Sequence, residues 1–316
     1  MSQQTPDLRV TLAGLTFDTP ILNASGCFYP DALNAILPLK GALGALVVKT
    51  VTPQPRAGNP GPRAVELPGV GMLNSIGLQN PGIGAFLDDE AEAWAAYGLP
   101  VFLSMSAPSV EAFAEMTALL ESHPNSGLIT ALELNLSCPN VAHGGVDFGA
   151  APETIRAVVS QTRAQTDKPV FAKLTPNVGS IVPLAEAAAQ AGAAGVSAVN
   201  TALGCAIDLR RRAPILARAT GGYSGPGLKP IALRCVWEIH RELPELAIIG
   251  VGGIASVEDA LEFIMAGASL VQVGTACFRS PEIFASLTRD LRRYLQQEGL
   301  CGIAALTGCA HGEKIR

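Results

Sequence analysis

Apolar runs four to six residues long recur along the chain at 20–23, 45–49, 100–104, 131–136, 169–173, 195–200, 247–250 and 269–274. Each ends in polar or glycine punctuation and is followed by a longer amphipathic stretch, the βα alternation of a parallel sheet covered on both faces. Ser109 opens a helix predicted over 110–121, and Pro152 one over 153–165. Ser256 and Asp259 have the spacing of a capping box ahead of Leu261, Ile264 and Met265. Eight strands in this rhythm predict an α/β fold, a TIM (β/α)8 barrel occupying residues 1–316 as a single domain. Two stretches dense in Gly, Pro and Arg, 52–81 and 201–230, interrupt the rhythm as irregular loops long enough to wall a site.

Composition narrows the function classes. With 48% hydrophobic and only 16% charged residues the chain suits a large covered sheet, and its net charge of -5 offers no basic footprint for nucleic acid or an anionic membrane. Its seven cysteines are scattered without C-x-x-C spacing and its four histidines do not cluster with them, so neither a disulfide framework nor a metal site is expected. The first nine residues lack a signal-peptide pattern, and the apolar stretch 187–207 is broken by Gln190, Ser197, Asn200 and Thr201. A cytoplasmic location without membrane insertion is expected.

Barrels carry their chemistry at the C-terminal ends of the strands, and there the predicted strands place Lys49-Thr50, Ser104, Asn135 with Cys138, Lys173, Asn200-Thr201, Gly252-Gly253 and Gly274-Thr275. A lysine at a buried strand end needs an anion or acceptor beside it, and two such lysines point to a site more than either alone. Gly250-Val-Gly252-Gly253-Ile-Ala255 fits a dinucleotide fingerprint loosely, but the next strand ends in Val273-Gly274-Thr275 without the acid that would hold a ribose. Two successive glycine turns, each ahead of a helix, match a phosphate site after strands seven and eight better. Cys138 precedes a Pro in a glycine-rich segment, where a thiol can be reactive, although a lone Cys is more often a core filler. Asn74, Asn135, Asn140 and Asn200 could bracket the alternating C=O and N–H edge of a pyrimidine, whereas Asn80 before Pro81 suits a turn. Arg210-Arg211-Arg212 suits a solvated charge run.

From Asn23 to Thr275 the chain resembles the dihydroorotate dehydrogenases, through Val48-Lys-Thr50, Asn74-Ser-Ile-Gly-Leu78, Asn135-Leu-Ser-Cys-Pro-Asn140, Lys173-Leu-Thr-Pro-Asn177, Gly221-Gly-Tyr-Ser-Gly225 and the two glycine turns. The resemblance implies one FMN per chain and oxidation of dihydroorotate to orotate in pyrimidine synthesis. Cys138 would remove the C5 proton as hydride leaves C6 for the flavin, with Lys49 and Lys173 completing the catalytic set. Lys49, Asn74, Ser75, Ile76, Gly77, Leu78, Asn135, Asn140, Asn200 and Thr201 would bind substrate. Ser25, Lys49, Thr50, Ser104, Asn135, Lys173, Val199, Gly225, Gly252, Gly253, Gly274 and Thr275 would bind cofactor. Cys138 at the base position is similar to the soluble class 1 enzymes, and the stretches 206–208 and 222–232 are similar to the NAD-linked class 1B, implying a homodimer of barrels and a separate electron-transfer subunit that carries FAD and a [2Fe–2S] cluster. The fumarate-linked class 1A is the near alternative. A flavin-dependent tRNA-uridine reductase is more remote, since it calls for a basic face. A non-catalytic ligand-binding barrel would need neither Cys138 nor the lysine pair.

Overall fold

A computed structural model describes residues 5–27, 29, 39–136 and 148–312. All eight apolar runs are strands of one parallel sheet: β1 (Ile21–Asn23), β2 (Leu46–Val47), β3 (Val101–Met105), β4 (Ala131–Asn135), β5 (Val170–Leu174), β6 (Gly195–Ala198), β7 (Ile248–Val251) and β8 (Leu270–Val273). From β2 to β8 each strand pairs in parallel with the next, and β8 pairs with β1. The remaining seam, β1 to β2, closes the barrel by a bridge between Leu22 and Ala45 and a bond from Gly44 N to Ile21 O of 2.8 Å. Above it the buried Asn23 side chain substitutes for a backbone partner. Its Nδ2 donates to Val47 O at 2.7 Å and its Oδ1 accepts from Val47 N at 2.8 Å, so no ladder group at the seam is stranded.

Period-two alternation sorts each strand between two cores. In β4, Ala131 joins the cluster inside the barrel while Leu132 and Leu134 face the helices. In β5, Phe171 points in and Val170, Ala172 and Leu174 point out. The inner floor is aromatic: Phe102 stacks on Phe171 with centroids 5.4 Å apart, and Phe17, from an antiparallel hairpin of Val10–Leu12 and Leu15–Phe17, meets Phe102 edge-on at 6.0 Å. Burial of each such side chain contributes about 1.5–3 kcal/mol.

The outer layer includes α1 (Val110–Ser122), α2 (Pro152–Arg163), α3 (Val182–Gln190), α4 (Lys229–Glu242), α5 (Val257–Met265) and α6 (Ile283–Gln297). Ser109 caps α1 by accepting from Ala112 N, and Pro152 occupies the first turn of α2. The Ser256 and Asp259 box forms at α5. No helix among the described residues is long and apolar enough to cross a membrane.

The two loops expected to be irregular are partly ordered into β structure. Strands Ala202–Cys205, Thr220–Ser224, Gly71–Asn74 and Ala64–Leu67 form, in that order, an antiparallel sheet, and Ile207–Asp208 pairs with Ala213–Pro214 in a ribbon. These segments lie far apart in sequence and are glycine-rich, so their pairing is set by the fold and not by local propensity.

Candidate active site

The alternation that sends Phe171 and Ala131 to the barrel floor sends Lys173 and Glu133, two residues on, into the layer above. There Lys173 Nζ donates to Glu133 Oε1 at 3.1 Å and to Gln272 Oε1 at 3.0 Å. Glu133 Oε2 accepts from Ser197 Oγ at 2.8 Å and from Gln272 Nε2 at 2.6 Å. Glu133 has 0% and Lys173 6% of its surface exposed, so the pair is nearly dry, and every carboxylate oxygen has a donor. The anion or acceptor expected beside Lys173 is thus Glu133 together with Gln272, neither of which the sequence singled out. Parity would have found it, since Glu133 shares the inward face of its strand with Asn135.

Above this layer a hydrogen-bonded belt crosses the strand ends. Ser25 Oγ lies 3.3 Å from Thr50 Oγ1, which is 2.9 Å from Ser104 Oγ and accepts from Asn135 Nδ2 at 3.3 Å. Asn200 Nδ2 donates to Asn135 Oδ1 at 3.0 Å, and Thr201 N donates to Asn200 Oδ1 at 2.8 Å. Ser104 is fully buried beneath the belt and holds Thr50 in place. A Cβ at Gly222 would run into the Thr201 hydroxyl, and Asn74 Nδ2 reaches Gly222 O at 3.4 Å, so the antiparallel sheet brings Asn74 over the same end of the belt.

Ser75 to Leu78 are fixed from outside. Asn59 Nδ2 donates to Ser75 O and Oγ at 2.9 and 3.0 Å, Asn59 N donates to Ile76 O, and Gly77 packs against Asn59 at φ +78°. Asn80 closes the turn, as expected of it: Oδ1 accepts from Thr52 N and Gly82 N, and Nδ2 donates to Leu78 O.

Lys49 differs from Lys173. Its aliphatic stem lies over Gly26, where a Cβ would be 2.6 Å from Cδ, and among the described residues its ammonium has neither an ion-pair partner nor a hydrogen bond. Burial lowers its pKa, opposed only by the nearby Cys27 thiol. Burial also pushes the Cys27 thiol up to about 11 despite the charges of Lys173 and Lys49. A partly buried ammonium without an anion is the residue here that most calls for a ligand.

Three loops meet at the glycine turns. A Cβ at Gly225 would lie 2.5 Å from Gly71 Cα, and one at Gly253 would lie 2.8 Å from both Gly225 O and Lys229 N. Thr275 Oγ1 donates to Ser224 Oγ at 2.7 Å, joining the loop after β8 to the loop after β6. Gly225, Gly252 and Gly253 adopt φ of +103°, +133° and +78°, which their lack of a side chain permits. Asp259 Oδ2 already takes the amides of Ala255 and Ser256, so an anion here would be left the amides of Gly252 and Gly253, which have no backbone acceptor among the described residues. Val199 is buried, its amide donating to Val251 O at 2.8 Å. Cys138 and Asn140 lie outside the described residues, and no cluster that could hold a metal ion occurs among the described ones.

The arrangement can hold an anion against Lys49, an amide-bearing ring against the asparagines and a phosphate against the glycine amides. Sequence comparison places the chain in a family. The profile of the dihydroorotate dehydrogenase family matches residues 7–295. The chain is 46% identical to the dihydroorotate dehydrogenase B (NAD(+)) catalytic subunit of Desulforudis audaxviator, covering 96% of this chain and 97% of that one. It is 44% identical to the proteins of the same name from Pelobacter propionicus and Geobacter sulfurreducens, in each case over 96% of this chain and 98% of the relative.

Proposed function

The chain belongs to the dihydroorotate dehydrogenase family, and from that premise we propose that it oxidises dihydroorotate to orotate in pyrimidine synthesis, using FMN and passing electrons to NAD through a second subunit. The observation that carries this reading is Lys49: a partly buried ammonium without a protein partner among the described residues, beside a belt of asparagine amides, suits a small ring bearing a carboxylate. The glycine turns, with the amides of Gly252 and Gly253 unclaimed among the described residues, suit the phosphate of FMN.

In this reading Lys49, Asn74, Asn135, Asn140, Asn200 and Thr201 hold the pyrimidine, and the clamped segment from Ser75 through Ile76 and Gly77 to Leu78 walls it. Ser25, Thr50, Ser104, Asn135, Val199, Gly225, Gly252, Gly253, Gly274 and Thr275, with Lys49 and Lys173, hold the cofactor. FMN, when bound, supplies the two-electron acceptor for the hydride leaving C6 of dihydroorotate. Cys138 acts as base and takes the C5 proton; its reference pKa of about 8.5 gives a usable thiolate fraction at mildly alkaline pH. Holding base and substrate in fixed geometry lowers the barrier by several kcal/mol. The names of the relatives, NAD-linked and catalytic subunit, support a separate electron-transfer partner, which in this reading carries FAD and a [2Fe–2S] cluster. A cytoplasmic homodimer of single-domain barrels completes the proposal.

The test is anaerobic addition of dihydroorotate to the purified yellow protein, with loss of flavin absorbance expected within seconds. Cys138→Ala should stay yellow and fail to bleach. A correctly folded protein that takes up no FMN refutes the reading. Assay with NAD and with fumarate, with and without the co-expressed partner, identifies the acceptor, and turnover with fumarate alone would favour the class 1A alternative.

A further inference from the structure

We propose that Glu133 is a charge-balancing and positioning residue that lowers the reduction potential of the flavin by compensating Lys173, an inference that rests on the FMN reading above. The floor of the barrel is filled by Phe102, Phe171 and other apolar groups, and the next layer could have been filled the same way. Instead four polar side chains from four strands meet there and satisfy one another.

The bonding fixes an orientation. Gln272 donates to Glu133 through Nε2 and accepts from Lys173 through Oε1, so Lys173, Glu133 and Gln272 form a closed ring in which the amide cannot turn over without setting its NH2 against the ammonium and its oxygen against the carboxylate. An ammonium has three protons. Two are held by Glu133 Oε1 and Gln272 Oε1, which leaves one for a group at the mouth.

The charge consequence follows. Reduction places negative charge on a flavin, and a cation beside it favours the reduced form. At Lys173 that pull is largely cancelled by a carboxylate 3.1 Å away in a dry layer, whereas Lys49 has no such counter-charge among the described residues. Glu133 therefore lets Lys173 orient the cofactor through a hydrogen bond while keeping its charge from over-stabilising the reduced state, which would otherwise hold electrons meant for the next carrier.

Glu133→Gln removes the charge and keeps the shape. The FMN-loaded variant should bind reduced relative to oxidised flavin about tenfold or more tightly than the parent, a rise of about 30 mV for a two-electron couple, measured by equilibration with redox dyes. The exchange variant Glu133→Gln with Gln272→Glu restores one carboxylate and one amide around Lys173, and its potential should return toward the parent value. Should Glu133→Gln fail to fold, Glu133→Asp, whose carboxylate is drawn back by one methylene, is measured in the same way and should shift in the same direction. A yellow variant of normal FMN content with an unchanged potential overturns this inference alone. A parent protein that binds no FMN overturns the reading beneath it as well.

Discussion

Removing Lys173 while leaving Glu133 should be among the most destabilising single changes in the barrel interior, whether or not a cofactor is bound. The ammonium and carboxylate are 3.1 Å apart with 8% and 0% of their side chains exposed. At an effective dielectric of about 20 their attraction is about 5 kcal/mol, and stranding one partner of a buried pair costs about 3–5 kcal/mol. Lys173→Met keeps the aliphatic volume and leaves Glu133 with Ser197 and Gln272 as donors but without a counter-charge. We therefore expect a loss of about 3–5 kcal/mol for Lys173→Met, and recovery of more than half of it when Glu133→Gln is added, because no buried charge then remains. Urea unfolding of the cofactor-free protein followed by far-ultraviolet circular dichroism measures both, provided the slopes against urea agree between variants. A loss below about 1 kcal/mol for Lys173→Met, or a double variant as unstable as the sum of the singles, would mean that the pair is not desolvated and would refute the reasoning.

Lys49→Met should raise KM for dihydroorotate by about thirtyfold or more, corresponding to about 2 kcal/mol, through loss of the charged partner for the substrate carboxylate. The same variant should be more thermostable at pH 7, because folding lowers the Lys49 pKa and so penalises its charged form. That advantage should shrink as pH rises through the lowered value and be gone only above the ordinary value of 10.5, where the lysine is neutral in both states; a difference in thermostability that does not shrink over this rise contradicts it. Gly253→Ala forces a Cβ to within 2.8 Å of Gly225 O at φ +78° and should weaken FMN binding by at least about tenfold in a fluorescence-quenching titration, the strain amounting to about 1–3 kcal/mol. At Asp259, burial pushes the carboxyl up, but bonds from Lys229 and from the amides of Ala255 and Ser256 outweigh it and leave the pKa below 3.8. Asp259→Asn should therefore cost about 1 kcal/mol at pH 7, with the difference from the parent disappearing as pH falls through the lowered value. In thiol labelling at pH 8 read by peptide mass, the exposed Cys205, Cys301 and Cys309 should react, while Cys27 and Cys235, raised by burial to about 11, and Cys277, raised to about 12, should not.

The barrel was legible because strands buried on both faces read as largely apolar runs, and β4, β5 and β8 show why: Leu132, Leu134, Val170, Ala172, Leu174, Val271 and Val273 join the outer core while Ala131, Phe171 and Leu270 join the inner one. The antiparallel sheet over the mouth was not, because Thr220–Ser224 carries two glycines and finds its partner in Gly71–Asn74, some 150 residues earlier. At the site, lysines at apolar strand ends stood out as anomalies, whereas Glu133 did not, since an acid between two leucines reads locally as the exposed face of a half-buried strand. Only closure of the sheet into a barrel turns that face inward. Asn23 was passed over for the same reason, its role at the seam between β1 and β2 existing only once the first and second strands meet.

The two lysines then divide the electrostatics of the mouth between them. Lys173 is answered within the fold, so the barrel tolerates its charge whether or not anything is bound. Lys49 is not answered by any described residue, and its burial works against its own charge. An uncompensated ammonium costs stability in the free protein, and in the proposed reading that cost is relieved when an anion arrives, so that the relief would enter the binding free energy and favour a ligand that carries a carboxylate. The polar belt from Ser25 to Thr201 stays neutral and satisfied, so it can read the shape and hydrogen-bonding edge of the ring without competing for the charge. A ligand lacking the carboxylate would meet the same asparagines but leave Lys49 as it was, and for that reason dihydroorotate should bind far more tightly than uncharged dihydrouracil to the parent and about equally weakly to Lys49→Met.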